Sequence, residues 1–397
     1  MSVSDFLNRH GLLPEAIDGP KCLTLLLQQM DEGLASRGNI PMLPSYLSLD
    51  TKPIPGVPCC VLDAGGTNLR RAKAVFGQDG SCTLTDFVKL PMPGTQGELS
   101  LDAFYRAIAH QARQTGCPKR VGFCFSYNVA QERNLDGILL AWCKEVRVPE
   151  APGKYVGTSL RQAIGPECET VRVLNDSTAA LLGAHAADPN ITLGLILGTG
   201  INICYSEACK NISKVPQDLR ADSMIISTEI GEFDGFPKST FDRAVTEASA
   251  DPALAHAEKQ CSGAYLGDLI GFAWKEAARE GLIPEEFAAP VTLPQISNYL
   301  AGQADSDAAH IARTMIHRAA KIAAVLTAGP ILKSCAPGQN CALVIEGSQY
   351  TRLTGFGAAF TGELSALLEP HRIGFTVAQV ENSCLLGAAL AAFAQPM

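Results

Sequence analysis

Hydrophobic positions along the chain change rhythm several times, and each rhythm predicts an element. Leu23, Leu26, Leu27, Met30 and Leu34 recur every three to four residues, the spacing of one apolar helix face. Pro20 suits the first turn of that helix and Gly38 suits its stop. The next stretch, "NIPMLPSYLSLDTKPIPGVP", is crowded with proline and reads as an extended linker leading to a new lobe near residue 56. Short runs of strand formers follow: "CCVLDAG" and "LRRAKAVF" flank a Gly-Gly turn, and "CTLTDFVKL" adds a third strand. A helix is predicted over 101–114, a buried strand at "RVGFCFSYN", and a strand, an acidic corner and a helix in "TVRVLNDSTAALLGAHAA". "TLGLILGTGINICYSE" then repeats the earlier device of apolar strand, glycine turn and apolar strand. A long helix over 306–328, a late strand at "CALVIEG" and a small-residue helix at "SCLLGAALAAF", able to pack closely against a sheet, end the pattern.

Alternating strands and helices imply an α/β fold. Two hairpins of one design, well over a hundred residues apart, imply a duplicated architecture with one glycine turn in each half. A chain of 397 residues exceeds the usual size of one core, so two lobes are expected. Composition narrows the function. No apolar run approaches the roughly 18 residues of a membrane helix, and the start "MSVSDFLNRHGLLPEA" lacks the basic and apolar blocks of a secretion leader. The expectation is a cytoplasmic protein without a membrane partner. A net charge of -8 disfavours nucleic acid, whose phosphates need clustered Lys and Arg, and leaves small molecules as partners. The 14 cysteines include no C-x-x-C pair, so free, mostly buried thiols are expected rather than a metal site or disulfides.

Phosphate groups want several backbone N–H donors converging on them, and glycine permits that approach because no Cβ stands in the way. Gly65, Gly66 and Thr67 form one such turn; Gly198, Thr199 and Gly200 form the other. Each alone would pass for an ordinary hairpin turn; the matched pair points to phosphate. Neither turn has the spacing of a Walker or Rossmann loop. Asp63 ends the first strand beside its turn, where a carboxylate either caps the turn or holds a hydrated magnesium ion on nucleotide phosphates. Asp176 stands at a strand-to-helix corner, where it either caps the helix or accepts the proton of an attacking hydroxyl in phosphoryl transfer.

Nine segments together, "MLPSYL", "LDAGGTNLR", "GFCFSYN", "LDGILLAWCK", "LNDSTAALL", "GLILGTGINICY", "STEIGEF", "EKQCSGAYLGDLI" and "RAAKIAAVL", occur in the order and rough spacing of the hexokinases, including eukaryotic-type glucokinases. The resemblance runs from about residue 20 to the end of the chain. It implies the actin-like ATPase fold of the ribonuclease H-like class: α/β, with two lobes from a duplicated βββαβα unit closing on ATP and sugar. The expected small lobe is 56–176 plus 385–397 and the large lobe 1–55 plus 177–384. The resemblance makes Asp176 the general base for the 6-hydroxyl of a hexose, most plausibly glucose, accompanied by Asn175, and Asp63 the acid near Mg2+. Ser126, Lys144, Asn202, Glu229 and Glu258 correspond to hexose-binding groups, and a buried sugar does need an amide or carboxylate for each hydroxyl. Thr67, Asn68, Arg70 and Thr199 resemble phosphate-contacting positions, and Glu346, Gly347 and Ser348 the adenosine-side strand and turn. The implied ligands are a hexose, ATP and Mg2+, bound by a monomer or homodimer.

The chain also departs from the family pattern. Cys143 stands for the usual threonine and Glu145 for the usual glycine around Lys144; Asn128 and Val129 replace a proline and its neighbour; Ser177 replaces threonine after Asp176. Ser383, Cys384, Leu385 and Leu386 replace a glycine-serine-glycine turn with lysine. These changes keep open a kinase of mannose, fructose or an amino sugar; a catalytically weak sugar sensor is an alternative of another class, and the intact Asp176 and both glycine turns argue against it. An actin-like filament or chaperone ATPase would not require the sugar-facing set.

Overall fold

In the computed structural model, which describes residues 2–142, 146–216, 218–219, 221–302 and 305–397, the chain opens with a short helix outside the elements expected from the sequence. Helix α1 (Val3–Arg9) starts at a capping box: the Ser2 hydroxyl accepts from Asp5 N–H at 3.1 Å and the Asp5 carboxylate accepts from Ser2 N–H at 3.0 Å. Helix α2 (Gly19–Leu34) carries the leucine stripe, with proline in its first turn. Beyond it, Ser36 and Gly38 adopt positive φ and end the helix. The proline-rich stretch is a linker only in part. Leu43–Pro44 forms strand β1, an edge strand, where a residue without N–H does least harm.

The first half continues as β2 (Pro58–Ala64), β3 (Asn68–Phe76), β4 (Cys82–Pro91), α3 (Leu101–Gln114), β5 (Arg120–Phe125), the small hairpin β6 (Asn128–Gln131) and β7 (Gly137–Ala141), α4 (Val156–Ile164), β8 (Thr170–Leu174) and α5 (Asp176–Ala187). The second half runs β9 (Ile191–Leu197), β10 (Ile201–Ala208), β11 (Ser223–Ser227), α6 (Thr240–Ala248), α7 (Glu258–Cys261), α8 (Gly263–Arg279), α9 (Leu293–Gly302), α10 (Asp307–Ser334), β12 (Asn340–Glu346), α11 (Ser348–Arg352), α12 (Phe356–Leu368), β13 (Gly374–Ala378) and α13 (Ser383–Ala391). The two sheets have one plan. The first is ordered β4-β3-β2-β5-β8 and the second β11-β10-β9-β12-β13, with β1 added at its edge. In each, three antiparallel strands made by hairpins are followed by two parallel strands reached through helices, as parallel pairing requires. The duplication expected from the two glycine hairpins is therefore present strand for strand.

Three apolar clusters hold this framework. One joins the second sheet to α2, α8, α10 and α12; another lies between the first sheet and α3 and α4. A third joins both sheets through α5 and α13, the helices that end the two halves. Small residues let these elements approach. A Cβ on Gly387 would stand 1.9 Å from the Ala179 carbonyl oxygen, and one on Gly122 would stand 1.7 Å from that of Ala388. Helix α10 is long and apolar enough to cross a membrane by length and composition, yet 83% of its most apolar window is buried, so here it is core. The thirteen described cysteines are free thiols, nine of them buried.

Candidate active site

Three groups of predicted residues gather around the start of α5. The first is the β2–β3 hairpin. Asp63 faces Arg70 across the strand pair and accepts from its guanidinium at 3.2 Å. Asp63 is 7% exposed; burial pushes its carboxyl above the usual range, with Arg70 opposing. The turn is tied by Gly65 N–H donating to Asn68 O at 2.9 Å and by the Tyr127 hydroxyl donating to Gly65 O at 2.8 Å. Ser126 N–H reaches Ala64 O at 3.1 Å, which places Ser126 beside this turn. Gly66 lies in the turn, and Thr67 is exposed at its tip.

The second group surrounds the β9–β10 hairpin. Gly198 N–H closes the turn onto Gly200 O at 3.0 Å, and Thr199 is exposed. The turn also caps α8, because Gly263 N–H donates to Gly198 O at 2.8 Å and Ala264 N–H to Thr199 O at 3.0 Å. Against the same turn lies the end of β12. A Cβ on Gly347, whose φ is 118°, would stand 2.2 Å from Leu197 O, so Glu346, Gly347 and Ser348 sit beside the second glycine turn. Glu346 accepts a close hydrogen bond from the Ser383 hydroxyl, which draws the altered 383–386 segment into the site.

The third group is carboxylate-rich. Asn202 on β10 donates from Nδ2 to Glu229 Oε1 at 2.6 Å and to Ser227 Oγ at 3.0 Å, and its Oδ1 accepts from Glu229 N–H at 3.0 Å and Ile203 N–H at 2.8 Å. Two donors and two lone pairs are all an amide has. Asn202 therefore fixes Glu229 through both its amide nitrogen and its amide oxygen. Glu229 has φ 54°, a left-handed conformation that costs a non-glycine residue on the order of 1 kcal/mol and is typical of functional corners. Burial pushes its carboxyl up to about 7, against the pull of the Ser227 and Asn202 bonds. Glu258 Oε2 accepts from Ile201 N–H at 2.9 Å. It lies against Gly200, where a Cβ would come 2.5 Å from the same oxygen.

Asp176 links these groups. It is the first residue of α5, capped by Asn175, whose Oδ1 accepts from Ser177 N–H at 2.9 Å and Ser177 Oγ at 2.8 Å. The field of Asp176 is felt by Asp63 and by Glu229 alike. Cys384 Sγ donates to the Asp176 carbonyl at 3.7 Å, and Asp63 also feels Glu346. Lys144, with Cys143 and Glu145, lies outside the described residues. Ser227 is absent from the residues expected in the site and Ser177 enters only as a departure from the family pattern, yet both are buried, 3.3 Å apart, within the same network. Their signal was their place inside "STEIGEF" and "LNDSTAALL".

Among the described residues no group of three or more His, Cys, Asp or Glu side chains is placed to hold a metal ion by itself. A single buried carboxylate, Asp63, beside a bare turn is the donor set that suits a Mg2+ ion carried largely by phosphate and water oxygens.

Comparison with known proteins bears on the family and the fold. Two family models, both described as hexokinase, match the chain, one over residues 20–186 and the other over 192–299 and 298–394. Hexokinase-2 of Candida albicans is 32% identical over 277 residues, and Hexokinase-2 of Saccharomyces cerevisiae is 30% identical over 279. These alignments cover 64% and 65% of this chain and 57% of each relative, so the match spans somewhat over half the relatives' length. The structure of a hexokinase from Schistosoma mansoni in complex with glucose superposes with a TM-score of 0.82 at 21% identity, covering 99% of this chain and all of that one. Two family models that together span most of the sequence, on this two-lobe α/β fold, place the chain in the hexokinase family.

Proposed function

We propose that the protein transfers the γ-phosphoryl group of ATP to the 6-hydroxyl of a hexose, with glucose the first candidate. The observation that carries the reading is the position of Asp176, whose charge is felt both by the acid beside the first glycine turn and by the carboxylate of the polar cluster. The Asp176 carboxylate accepts the hydroxyl proton as the sugar oxygen forms its bond to phosphorus and the bond to the departing ADP oxygen breaks. Thr67, Asn68 and Arg70 from one hairpin and Thr199 from the other serve the phosphates, and Glu346, Gly347 and Ser348 serve the adenosine side. Glu229 and Glu258 accept sugar hydroxyls, with Asn202 holding the first of them; Ser126 and Lys144 complete the expected set. Asp63 would hold Mg2+ through water, and the ion, when bound, neutralises charge on the transferring phosphates.

Water competes as a nucleophile at about 55 M, so the site should assemble only when sugar draws the lobes together and excludes it. A coupled assay with MgATP across glucose, mannose, fructose and amino sugars tests the reading. Sugar-dependent ADP release is expected, with glucose preferred. A chain that gains thermal stability with a hexose but turns none over would be a sensor instead, and indifference to every sugar would remove the proposal. The departures at Cys143, Glu145 and Asn128 motivate the breadth of that panel. A cytoplasmic location, and a small lobe of 56–176 plus 385–397 closing on a large one of 1–55 plus 177–384, belong to the same proposal.

A further inference from the structure

A chain of hydroxyls runs from Glu229 to the cap of α5. Ser227 Oγ donates to Glu229 Oε1 at 2.9 Å and accepts from Asn202 Nδ2 at 3.0 Å. On its other side it meets Ser177 Oγ at 3.3 Å, and Ser177 Oγ donates to Asn175 Oδ1 at 2.8 Å. Ser227 is 4% exposed and Ser177 is fully buried, so no bulk water can substitute for either partner.

A hydroxyl has one proton and two lone pairs, and counting them gives the network a direction. While Glu229 is ionised it can only accept, so the Ser227 proton points at it; the Ser177 proton is committed to Asn175, and the contact between the two serines carries no proton. Once Glu229 is protonated, its own O–H can donate to Ser227 Oγ, and the Ser227 proton is then released to donate to Ser177. The Ser227 hydroxyl thus faces the carboxylate in one charge state and the α5 cap in the other. Asp176 and Glu258 are the charged groups whose field Glu229 feels from the neighbouring elements, and both work with burial to favour its neutral form. The hydroxyls of Ser227 and Ser177 therefore act on a carboxyl close to balance between its two states.

We infer that Ser227, backed by Ser177, is a positioning residue for the proposed phosphoryl transfer: it holds the sugar-side carboxylate Glu229 in the orientation set by Asn202 and ties it to the capped start of α5, where the proposed base stands. This rests on the hexose kinase reading for its consequence in turnover, but its hydrogen-bond content can be measured without sugar.

The experiment follows the Glu229 carboxyl carbon by NMR across pH in the sugar-free protein, in parallel with the pH profile of kcat/KM for whichever hexose the wild type accepts. Ser227→Ala removes a donor that favours the ionised form, so the Glu229 titration should move up by about one pH unit, and the acid limb of kcat/KM with it. Ser177→Ala removes the acceptor that favours the neutral form, so both should move down, by a smaller amount. Ser227→Thr keeps the hydroxyl and should restore the wild-type titration. The hexose KM should rise roughly tenfold in Ser227→Ala, and the double variant should lose less than the product of the single losses, because the two hydroxyls act through one contact. Titrations that stay put, or that move the same way in both alanine variants, overturn the inference. Should Ser227→Ala not fold, the downward movement in Ser177→Ala decides alone. If the wild type accepts no hexose while the titrations move as stated, the kinase reading fails and the hydroxyl bridge stands.

Discussion

Replacing Gly200 with alanine separates two reasons for a bare residue at that position. A turn that cradles phosphate needs glycine so that a ligand can approach the backbone. The geometry gives another reason: a Cβ at 200 would come 2.5 Å from Glu258 Oε2 and 3.2 Å from its carboxyl carbon. Ordinary contact begins near 3.4 Å, so the carboxylate must retreat by about 1 Å, enough to open its 2.9 Å bond to Ile201 N–H. The obstacle is the tip of a flexible side chain and Gly200 is not among the positive-φ residues, so the fold should survive with a loss of about 1 kcal/mol, water replacing part of the lost bond. Misplacing a substrate-holding group by about 1 Å costs on the order of a hundredfold in rate. Gly200→Ala should therefore lower kcat/KM for the hexose about 100-fold while the KM for ATP changes less than roughly threefold. Steady-state kinetics with each substrate varied at saturating levels of the other makes the measurement, with a melting curve to confirm folding. A tenfold rise in the ATP KM with unchanged sugar kinetics would refute the reasoning and return Gly200 to the phosphate cradle.

Glu229 makes two linked predictions. Its carboxyl sits near 7 because of burial, so the charged acceptor is present above that pH and lost below it; kcat/KM for the hexose should fall as pH drops through about 7. The same shift has a stability cost of opposite sign. A folded-state value above the unfolded one near 4.5 means that ionising Glu229 weakens the fold as pH rises between those values. Glu229→Gln should bind sugar poorly yet gain on the order of 2 kcal/mol over wild type at pH 8 relative to pH 5, less than the roughly 3 of a fully dry site. Equal melting temperatures at both pH values would contradict this. At the contact of β5 with α13, Gly122→Ala would set a methyl 1.7 Å from the Ala388 carbonyl oxygen, a backbone atom that cannot swing aside. Loss of soluble protein or destabilisation of about 3 kcal/mol or more should follow, and a fully stable variant by denaturant titration would show that the α5–α13 layer is looser than described.

Much of the framework could be read before any coordinates, because hairpins and helix corners write themselves locally. The predicted 101–114 helix is α3 without adjustment, and the small-residue reading of "SCLLGAALAAF" is realised in the close approach of α13 to α5 and β5. The long helix was placed correctly but ended early, since Pro330 is accommodated inside α10. Helix α1 escaped because its buried stripe, Val3, Phe6 and Leu7, is only two turns long and its start is marked by a polar capping box, and β1 because two residues pairing across a sheet edge leave no periodicity. The candidate site divides in the same way. Asp63, Asp176 and both glycine turns announce themselves by standing at strand ends. Glu229 and Glu258 look like surface acids in the sequence and became candidates only through the family resemblance. Ser227 meets Asn202 because β11 pairs with β10 in one register, and Ser177 because α5 packs on β11, relations between positions 25 and 50 residues apart that no local pattern records. Nor does any local pattern record that the Asn202 amide meets Glu229 and Ser227.

The most searching measurement compares Asp176→Ala with wild type, hexose affinity being read by calorimetry and turnover by a coupled assay with MgATP. Removing a general base while leaving the pocket intact should keep sugar affinity within a few-fold and cut kcat by about a hundredfold to ten-thousandfold. Turnover within tenfold of wild type at equal affinity would take the proton-accepting role away from Asp176 and leave it the cap of a helix.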